Sequence, residues 1–536
     1  MWNVLVIGAG PTGLMMASEL IRQGLTCRLI DKSSGPTIYS KALAIQARTL
    51  EIFGHIGIAD EMISHGVRVG AMSPMSRGKR LARIDFSSLE SSFPFVLSLE
   101  QSQTEKILIQ HLAKLGVKVE RETELVNIRE TKAGVEAEIR DPTGKTEHFV
   151  FAWAVGCDGA HSTVRKQLGF TFDGKALADI FSLADLFIDN WPIPHGEGSL
   201  FLEKDGLLAA LPLAGKGRYR LIFQLERCRD RLAETGMIHG AFQSETIPAP
   251  TLDEVQSLVS RYTSPEVRVR DPNWMVNFHV HSRLIHNFGK GRIFLAGDAA
   301  HIHSPAGGQG MNTGIQDAFN LAWKLALVHR GNAPFDLLDT YNLERRNVAK
   351  TLLKATEFAT YFATLRKPLA ISLRNWIMER LASLASFRKH LISALSQTAI
   401  QYPKSAIVID ALSSGPKAGT RVPNVKFFGR DGPIDLDTLL RNTTCLHLLF
   451  FTGPRPTEER MKEMAGLAES MALPTEPILI AHAPETPIFP GIRAVSDPDG
   501  TAHARFSVEK EAAYLIRPDL VIGIRCNPND LMKYLS

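Results

Sequence analysis

The chain has 536 residues, 44% of them hydrophobic and 22% charged, enough apolar material for several cores. Its 61 basic and 56 acidic residues leave a net charge of only +5. No basic tract follows from that balance, so nucleic acid is not an expected partner. No apolar run approaches the roughly 20 residues that cross a bilayer. The five cysteines (Cys27, Cys157, Cys228, Cys445, Cys526) form neither a Cys-x-x-Cys pair nor a metal-ligand spacing. That suits a reduced, cytoplasmic protein with no bound metal.

In chain order, "NVLVIGAGPTGLMMASELIRQGLTCRLIDK" reads as strand, tight turn, helix, strand. Val4 to Ile7 is a short apolar run, as in a strand covered on both faces. The absence of a basic leader marks it as a first strand rather than a signal peptide. Leu14, Ala17, Leu20 and Ile21 keep helical spacing, and Gly24 sits where a helix ends. A second helix is expected from about Ser98 to Leu115. A meander follows, with Asp141-Pro142-Thr143-Gly144 as a hairpin signal. Residues 172 to 286 read mostly as strands, and "GRIFLAGD" returns to a buried strand. Leu337 to Gln397 reads as helix with spaced basic residues, suited to a solvated or subunit-facing helix pair or to a membrane surface. After a linker from Ser413 to Asn424, strands and helices alternate again.

Gly8-x-Gly10-x-x-Gly13 lies between the first strand and the first helix. Gly8 allows a tight turn, Gly10 lets a pyrophosphate approach the backbone, and Gly13 lets the helix pack on the strand. The helix N-terminus offers N–H groups and positive partial charge to phosphates. Asp31, followed by Lys32, ends the second strand where a ribose hydroxyl would be held. The alternative is a glycine turn that merely closes a βαβ unit. This cluster alone leaves NAD(P) and FAD both open.

The second cluster, "GDAAHIHSPAGGQGMNTGIQDA" from Gly297 to Ala318, favours FAD, whose ribityl chain and ring need a second polar turn. Asp298 is placed to bond ribityl hydroxyls. Gly307, Gly308 and Gly310 would let the backbone approach the ring. A helix beginning near Asn312, with Met311 before it, would aim its N–H groups at the ring edge that gains negative charge on reduction.

These motifs, with "CDGAHSTVR" (Cys157 to Arg165) and "YNLERR" (Tyr341 to Arg346), resemble those of the class A flavoprotein aromatic hydroxylases, the group of p-hydroxybenzoate, phenol, pentachlorophenol and polyketide hydroxylases. The resemblance implies an α/β fold: a Rossmann-type FAD-binding domain in two parts (1–175 and, with a helical segment, 286–400), interleaved with a β-rich substrate domain (176–285). A thioredoxin-like C-terminal domain (401–536) follows, with "GPRPTEE" where a redox Cys-x-x-Cys would stand. It implies FAD as cofactor, NAD(P)H as transient co-substrate, and a small aromatic substrate with O2; a homodimer is compatible. The implied chemistry is hydroxylation of a phenol through a flavin C4a-hydroperoxide. Gln101 and Lys41 would contact FAD, Lys41 standing where the family usually has arginine. Asp158 would serve FAD and NAD(P)H, or else cap the helix after it. Pro305 would face flavin and substrate. Arg218 would approach the flavin, or else lie on a surface strand. His301 and His303 read as structural rather than metal-binding, for want of a third ligand. Three alternatives stand: the same chemistry on a polycyclic polyketide or antibiotic, a FAD-dependent reductase or halogenase, or a non-catalytic flavin-binding protein. A halogenase "WxWxIP" segment is absent.

Overall fold

Val4–Ile7 becomes the centre of a sheet because its four residues are apolar and buried on both faces. We label this strand β1, the helix Pro11–Arg22 α1 and the strand Cys27–Ile30 β2. The structure, a computed structural model, describes residues 2–37, 42–225, 248–304, 307–453, 456–469, 474–485 and 492–535. The six-stranded sheet runs Gly289–Lys290, Ile293–Leu295, Trp153–Gly156, β1, β2, Val119–Glu120. Its pairs are parallel except the first, and Val4 lies opposite both Trp153 and Cys27. Segments far apart in the chain therefore end side by side. The turns after β1, after Trp153–Gly156 and after Ile293–Leu295 open at one edge, where ligands of such sheets bind.

The expected meander is present as three antiparallel strands between Glu124 and Phe151, and Gly144 turns its hairpin at φ +86°. The second helix spans Gln101–Lys114. The β-rich unit is a nine-stranded sheet whose longest members, Asp173–Asp189 and Arg268–Leu284, pair antiparallel. It also takes Ala71–Ser76, which pairs with Glu197–Glu203 and carries two further short strands, Lys79–Arg80 and Ile84–Asp85. A helix, Leu252–Tyr262, interrupts the strand pattern. Its capping box explains it: Thr251 Oγ1 accepts Glu254 N–H and Glu254 Oε2 accepts Thr251 N–H, while Val255, Leu258, Val259 and Tyr262 turn inward.

The late glycine cluster leads into a 20-residue helix, Gly310–His329 (α2), followed by Asp339–Ala363 (α3). The region expected to be helical to Gln397 breaks further into Pro368–Ser383 and Ala385–Leu395, and Leu369 and Trp376 are exposed there. The C-terminal part is an eight-stranded mixed sheet built around Leu446–Phe451. Its inner face, including Leu449, Phe451 and Ile478, joins the same hydrophobic cluster as β1 and α2. No helix among the described residues is long and apolar enough to cross a membrane.

Candidate functional site

The turn after β1 is built for close approach. Gly8 has φ +99°, and a Cβ there would sit 2.4 Å from the Cys157 carbonyl. A Cβ on Gly13 would sit 1.8 Å from Gly8 O, so α1 packs against its own turn. Gly10, the N-cap of α1, has nothing within 4 Å of where its Cβ would stand. The start of α1 thus faces open space with its first N–H groups unused by the helix. Asp31 Oδ2 accepts Ala9 N–H at 2.6 Å and Oδ1 accepts Ser33 N–H at 2.8 Å, so this carboxylate holds the glycine turn in shape from β2. Lys32 beside it is exposed. A pocket of about 330 Å³, lined by Gly35, Pro36, Ile109, Val117 and Arg121 among others, opens on this side. Arg121 stands 3.8 Å from Asp31.

The late turn meets the early one. Cβ atoms on Gly297 and Gly314 would fall 2.6 and 2.3 Å from Thr12 Oγ1, on the first turn of α1. Glycine at both positions lets α2 and its preceding turn close on α1. Asp298 is exposed in the short turn Gly297–Ala299. The helix α2 begins at Gly310, two residues earlier than expected, so the N–H groups of Gly310, Met311 and Asn312 are its unpaired first donors. The Asn312 side chain is engaged: Oδ1 accepts Gln46 N–H at 2.9 Å, and Nδ2 donates to Ala44 O and Gly308 O. Pro305 and Lys41 lie outside the described residues.

Asp317, absent from the expected set, organises this turn. Fully buried, it accepts Gly297 N–H at 3.0 Å, His301 Nε2–H at 2.8 Å and Arg345 Nε–H at 2.7 Å. Burial would raise its carboxyl, but Arg345 and His301 outweigh burial and hold it below the usual range. His301 is thereby a structural histidine, stacked on Phe288. His303 differs. Its Nδ1–H donates to Ser304 O at 2.8 Å, and its Nε2 is buried, unpartnered and 3.5 Å from the Cβ position of Gly310. Burial pushes it down to about 4, so it is neutral near pH 7.

The "CDGAHSTVR" segment joins the two turns. Asp158 Oδ2 accepts Thr163 N–H at 2.6 Å and Val164 N–H at 3.2 Å, which is the helix-capping role. Its Oδ1 is buried without a partner, and its Cα lies against Gly8. Burial raises its carboxyl. Arg165 donates to Ala299 O at 3.1 Å and so ties the segment to the late turn.

Gln101 begins its helix and accepts Ala42 N–H at 3.1 Å, holding the chain that follows Lys41. Arg218 grips Glu100 with two bonds of 3.0 Å at this same helix start. Two strand residues on, Arg220 is fully buried, bonds Asp185 at 2.5 and 2.8 Å and lies over Trp274. Spacing alone could not rank these two arginines; pairing across the sheet does.

"YNLERR" supports the late turn through Arg345, which holds Asp317, and otherwise acts away from it. Glu344 accepts Lys324 Nζ at 2.8 Å and Arg517 Nη1 and Nη2 at 2.6 and 2.9 Å, while Arg345 donates to Tyr402 OH at 2.8 Å. Arg517 also pairs Asp519. These buried charges lock the C-terminal sheet to α2 and α3, opposite charge meeting opposite charge where neither has water.

A flavin dinucleotide fits these features. Gly10 leaves room for phosphates, and the late turn packs on the first turn of α1. Two buried acceptors beside these turns, Asp158 Oδ1 and Gln46 Oε1, have no protein donor. Gln46 was not among the expected residues; its Nε2 bonds Gly307 O in the late turn at 2.9 Å.

The family model described as FAD binding domain matches residues 1–356. The chain belongs to this family of flavoprotein aromatic hydroxylases. The hydroxylase is 38% identical to 6-methylpretetramide 4-monooxygenase of Streptomyces rimosus over 417 residues, 76% of this chain and 71% of that one. It is 32% identical to pentachlorophenol 4-monooxygenase of Sphingobium chlorophenolicum over 82% of this chain and 78% of that one. Its fold superimposes on OxyS anhydrotetracycline hydroxylase from Streptomyces rimosus with a TM-score of 0.74 and 27% identity, covering 100% of this chain and 98% of the other. FAD is therefore the cofactor, and the chain is a FAD-dependent monooxygenase acting on an aromatic compound.

Proposed function

We propose that this hydroxylase consumes NAD(P)H and O2 to hydroxylate a phenolic ring borne by a polycyclic, polyketide-type molecule. The observation that carries the reading is whole-chain likeness, C-terminal sheet included, to a hydroxylase named for anhydrotetracycline, together with the 38% relative named for 6-methylpretetramide. A small phenol is the second reading, favoured by the relative named for pentachlorophenol. When bound, FAD supplies two-electron exchange with a nicotinamide and the activation of O2.

The chain's own residues then have distinct tasks. Gly8, Gly10 and Gly13 admit the pyrophosphate, Asp31 and Lys32 border the adenosine ribose, and Asp298 meets the ribityl hydroxyls. The N–H groups of Gly310, Met311 and Asn312 favour negative charge on the ring edge. Asp158 Oδ1 takes a donor from a nucleotide. Gln101 holds the flavin side, steadied by Arg218 through Glu100. With Nη1 and Nη2 both bonded to Glu100, Arg218 acts by positioning. His303 Nε2, neutral and too weakly basic to ionise a phenol, accepts a hydrogen bond that orients its hydroxyl. The nine-stranded sheet walls the substrate side and keeps water out. The C-terminal unit is read as thioredoxin-like without redox function, since Gly453 to Glu459 carries no thiol.

The test is to follow NAD(P)H oxidation and O2 uptake with panels of simple phenols and polycyclic phenols. The expected result is oxidation stimulated most by a polycyclic phenol and a product heavier by one oxygen. Oxidation without O2 uptake would make the protein a reductase; flavin that no nicotinamide reduces would make it a binding protein.

A further inference from the structure

Cys445 and His447 stand two residues apart at the start of the strand Leu446–Phe451, so their side chains share one face. The neighbouring strand Thr475–Ala481 runs parallel and places Glu476 opposite His447. One ligand atom from each of the three lies within 4.8 Å of the others, the one such group among the described residues. Glu476 Oε2 is 3.8 Å from Cys445 Sγ and 3.6 Å from His447 Nδ1. Its other oxygen, Oε1, faces Arg493 Nη1 at 4.0 Å.

The histidine gives the independent sign of a ligand. His447 is 1% exposed. The Thr443 hydroxyl donates to Leu440 O at 2.7 Å, so it must accept at His447, and the 2.7 Å contact to Nε2 is an N–H donation from the ring. That fixes the tautomer. Nδ1 is left with a bare lone pair, buried and without a hydrogen-bond partner, aimed at a carboxylate oxygen. Glu476 Oε2 accepts the Cys445 S–H at 3.8 Å, and a cation that displaces this proton would be shared by the sulfur, the carboxylate oxygen and the bare Nδ1. A ring N–H held by a hydroxyl while the other nitrogen points at a carboxylate is the arrangement that prepares histidine to bind a metal.

We infer that Cys445, His447 Nδ1 and Glu476 Oε2 form a divalent-metal site for which zinc is the fitting ion. Thiolate, imidazole and carboxylate together suit zinc better than magnesium or calcium, which prefer oxygen alone. Zinc bonds of about 2.0–2.3 Å in a tetrahedron separate ligand atoms by roughly 3.3–3.8 Å. The separations of 3.6 and 3.8 Å already match, while Cys445 Sγ, now 4.0 Å from His447 Nε2, has to turn toward Nδ1. Binding releases the Cys445 proton to solvent as the sulfur–metal bond forms. Cys445 and Glu476 are only partly buried, so the fourth position lies on the solvent side, open to water. The ion would staple the two strands together at the end of the C-terminal sheet. No cysteine spacing marks this site, because its ligands come from two strands and two of them are not cysteine.

The experiment uses the full-length, FAD-loaded protein, stripped with a chelator and reloaded with zinc. The expected result is one tightly held zinc per chain by elemental analysis and calorimetry. X-ray absorption should show one sulfur at about 2.3 Å and nitrogen or oxygen at about 2.0–2.2 Å. Cys445→Ser should remove the sulfur shell and weaken binding at least tenfold, and Glu476→Gln should weaken it as well. Thr443→Val, which frees the ring tautomer, should weaken binding by about 10- to 100-fold with the sulfur shell kept. Melting of the metal-free variants serves as the folding control. Zinc with no sulfur neighbour, zinc bound equally by Cys445→Ser, or no stoichiometric zinc would each overturn the site.

Discussion

Gly314→Ala tests whether the two glycine turns share one cleft, because its sign depends on their contact. Gly314 lies inside α2, and alanine in a helix interior is favoured over glycine by about 1 kcal/mol. In open space the substitution would stabilise. Here the new Cβ falls 2.3 Å from Thr12 Oγ1, over 1 Å inside ordinary contact, and 3.2 Å from Gly297 Cα. Threonine cannot swing aside cheaply, since turning its β-branched side chain brings another heavy atom into the gap. An overlap this deep belongs at the upper end of the overpacking range, about 2–3 kcal/mol, so after the helix gain the expected net loss is about 1–2 kcal/mol. If α1 and α2 separate to relieve it, FAD affinity falls by about five- to thirtyfold. Thr12→Ala removes the atom in the way, and the double variant should regain most of the loss, a coupling of about 0.5–3 kcal/mol. The assay is FAD titration of apoprotein by flavin fluorescence, with thermal unfolding alongside, for wild type, both single variants and the double. Gly314→Ala binding FAD like wild type, or Thr12→Ala adding to its damage instead of relieving it, would refute the proposed meeting of the turns.

Asp298→Ala should lower FAD retention measurably by absorbance at constant protein, while Asp317→Asn should lower both FAD retention and melting temperature because Asp317 holds the Gly297 turn itself. Glu344→Gln should cost about 3–5 kcal/mol at pH 7, since Lys324 remains buried without its counter-charge and Arg517 keeps only Asp519. Burial raises the Glu344 carboxyl, but Arg517 and Lys324 outweigh it and hold it below the ordinary carboxylate range. A carboxylate lowered in the folded state contributes stability above its unfolded value of about 4.3 and loses that contribution as pH falls toward the folded value. Denaturant melts should therefore show wild type losing stability below about pH 4.3 more steeply than Glu344→Gln; parallel curves would contradict the pairing. His303→Leu should weaken binding of the aromatic substrate with FAD affinity kept, read as a rise in KM; an unchanged KM would remove His303 from the substrate side.

Much of the nucleotide site was legible as local pattern. A turn between a buried strand and a helix needs glycine at set positions, so Gly8, Gly10 and Gly13 declare themselves within a dozen residues, and the hairpin at Asp141 does likewise. The late turn was legible for the same reason, apart from the two-residue shift in where α2 starts. A helix start depends on which N–H groups find partners, and Asn312 spends its side chain on Ala44, Gly308 and Gln46, which are distant in sequence. The helix Leu252–Tyr262 was carried by a capping box, a local signal that the surrounding strand pattern concealed.

The sequence by itself determined the dinucleotide turn, because that turn rests on short-range backbone demands that only certain residues meet, and its motifs carried the resemblance that implied FAD and the family. Tertiary structure alone decided the pairings of Asp317, Arg220 and Glu344 and left His303 Nε2 buried with its lone pair free. Their meaning is electrostatic: a buried charge or lone pair is defined by what faces it at about 3 Å, and those partners come from other strands and helices.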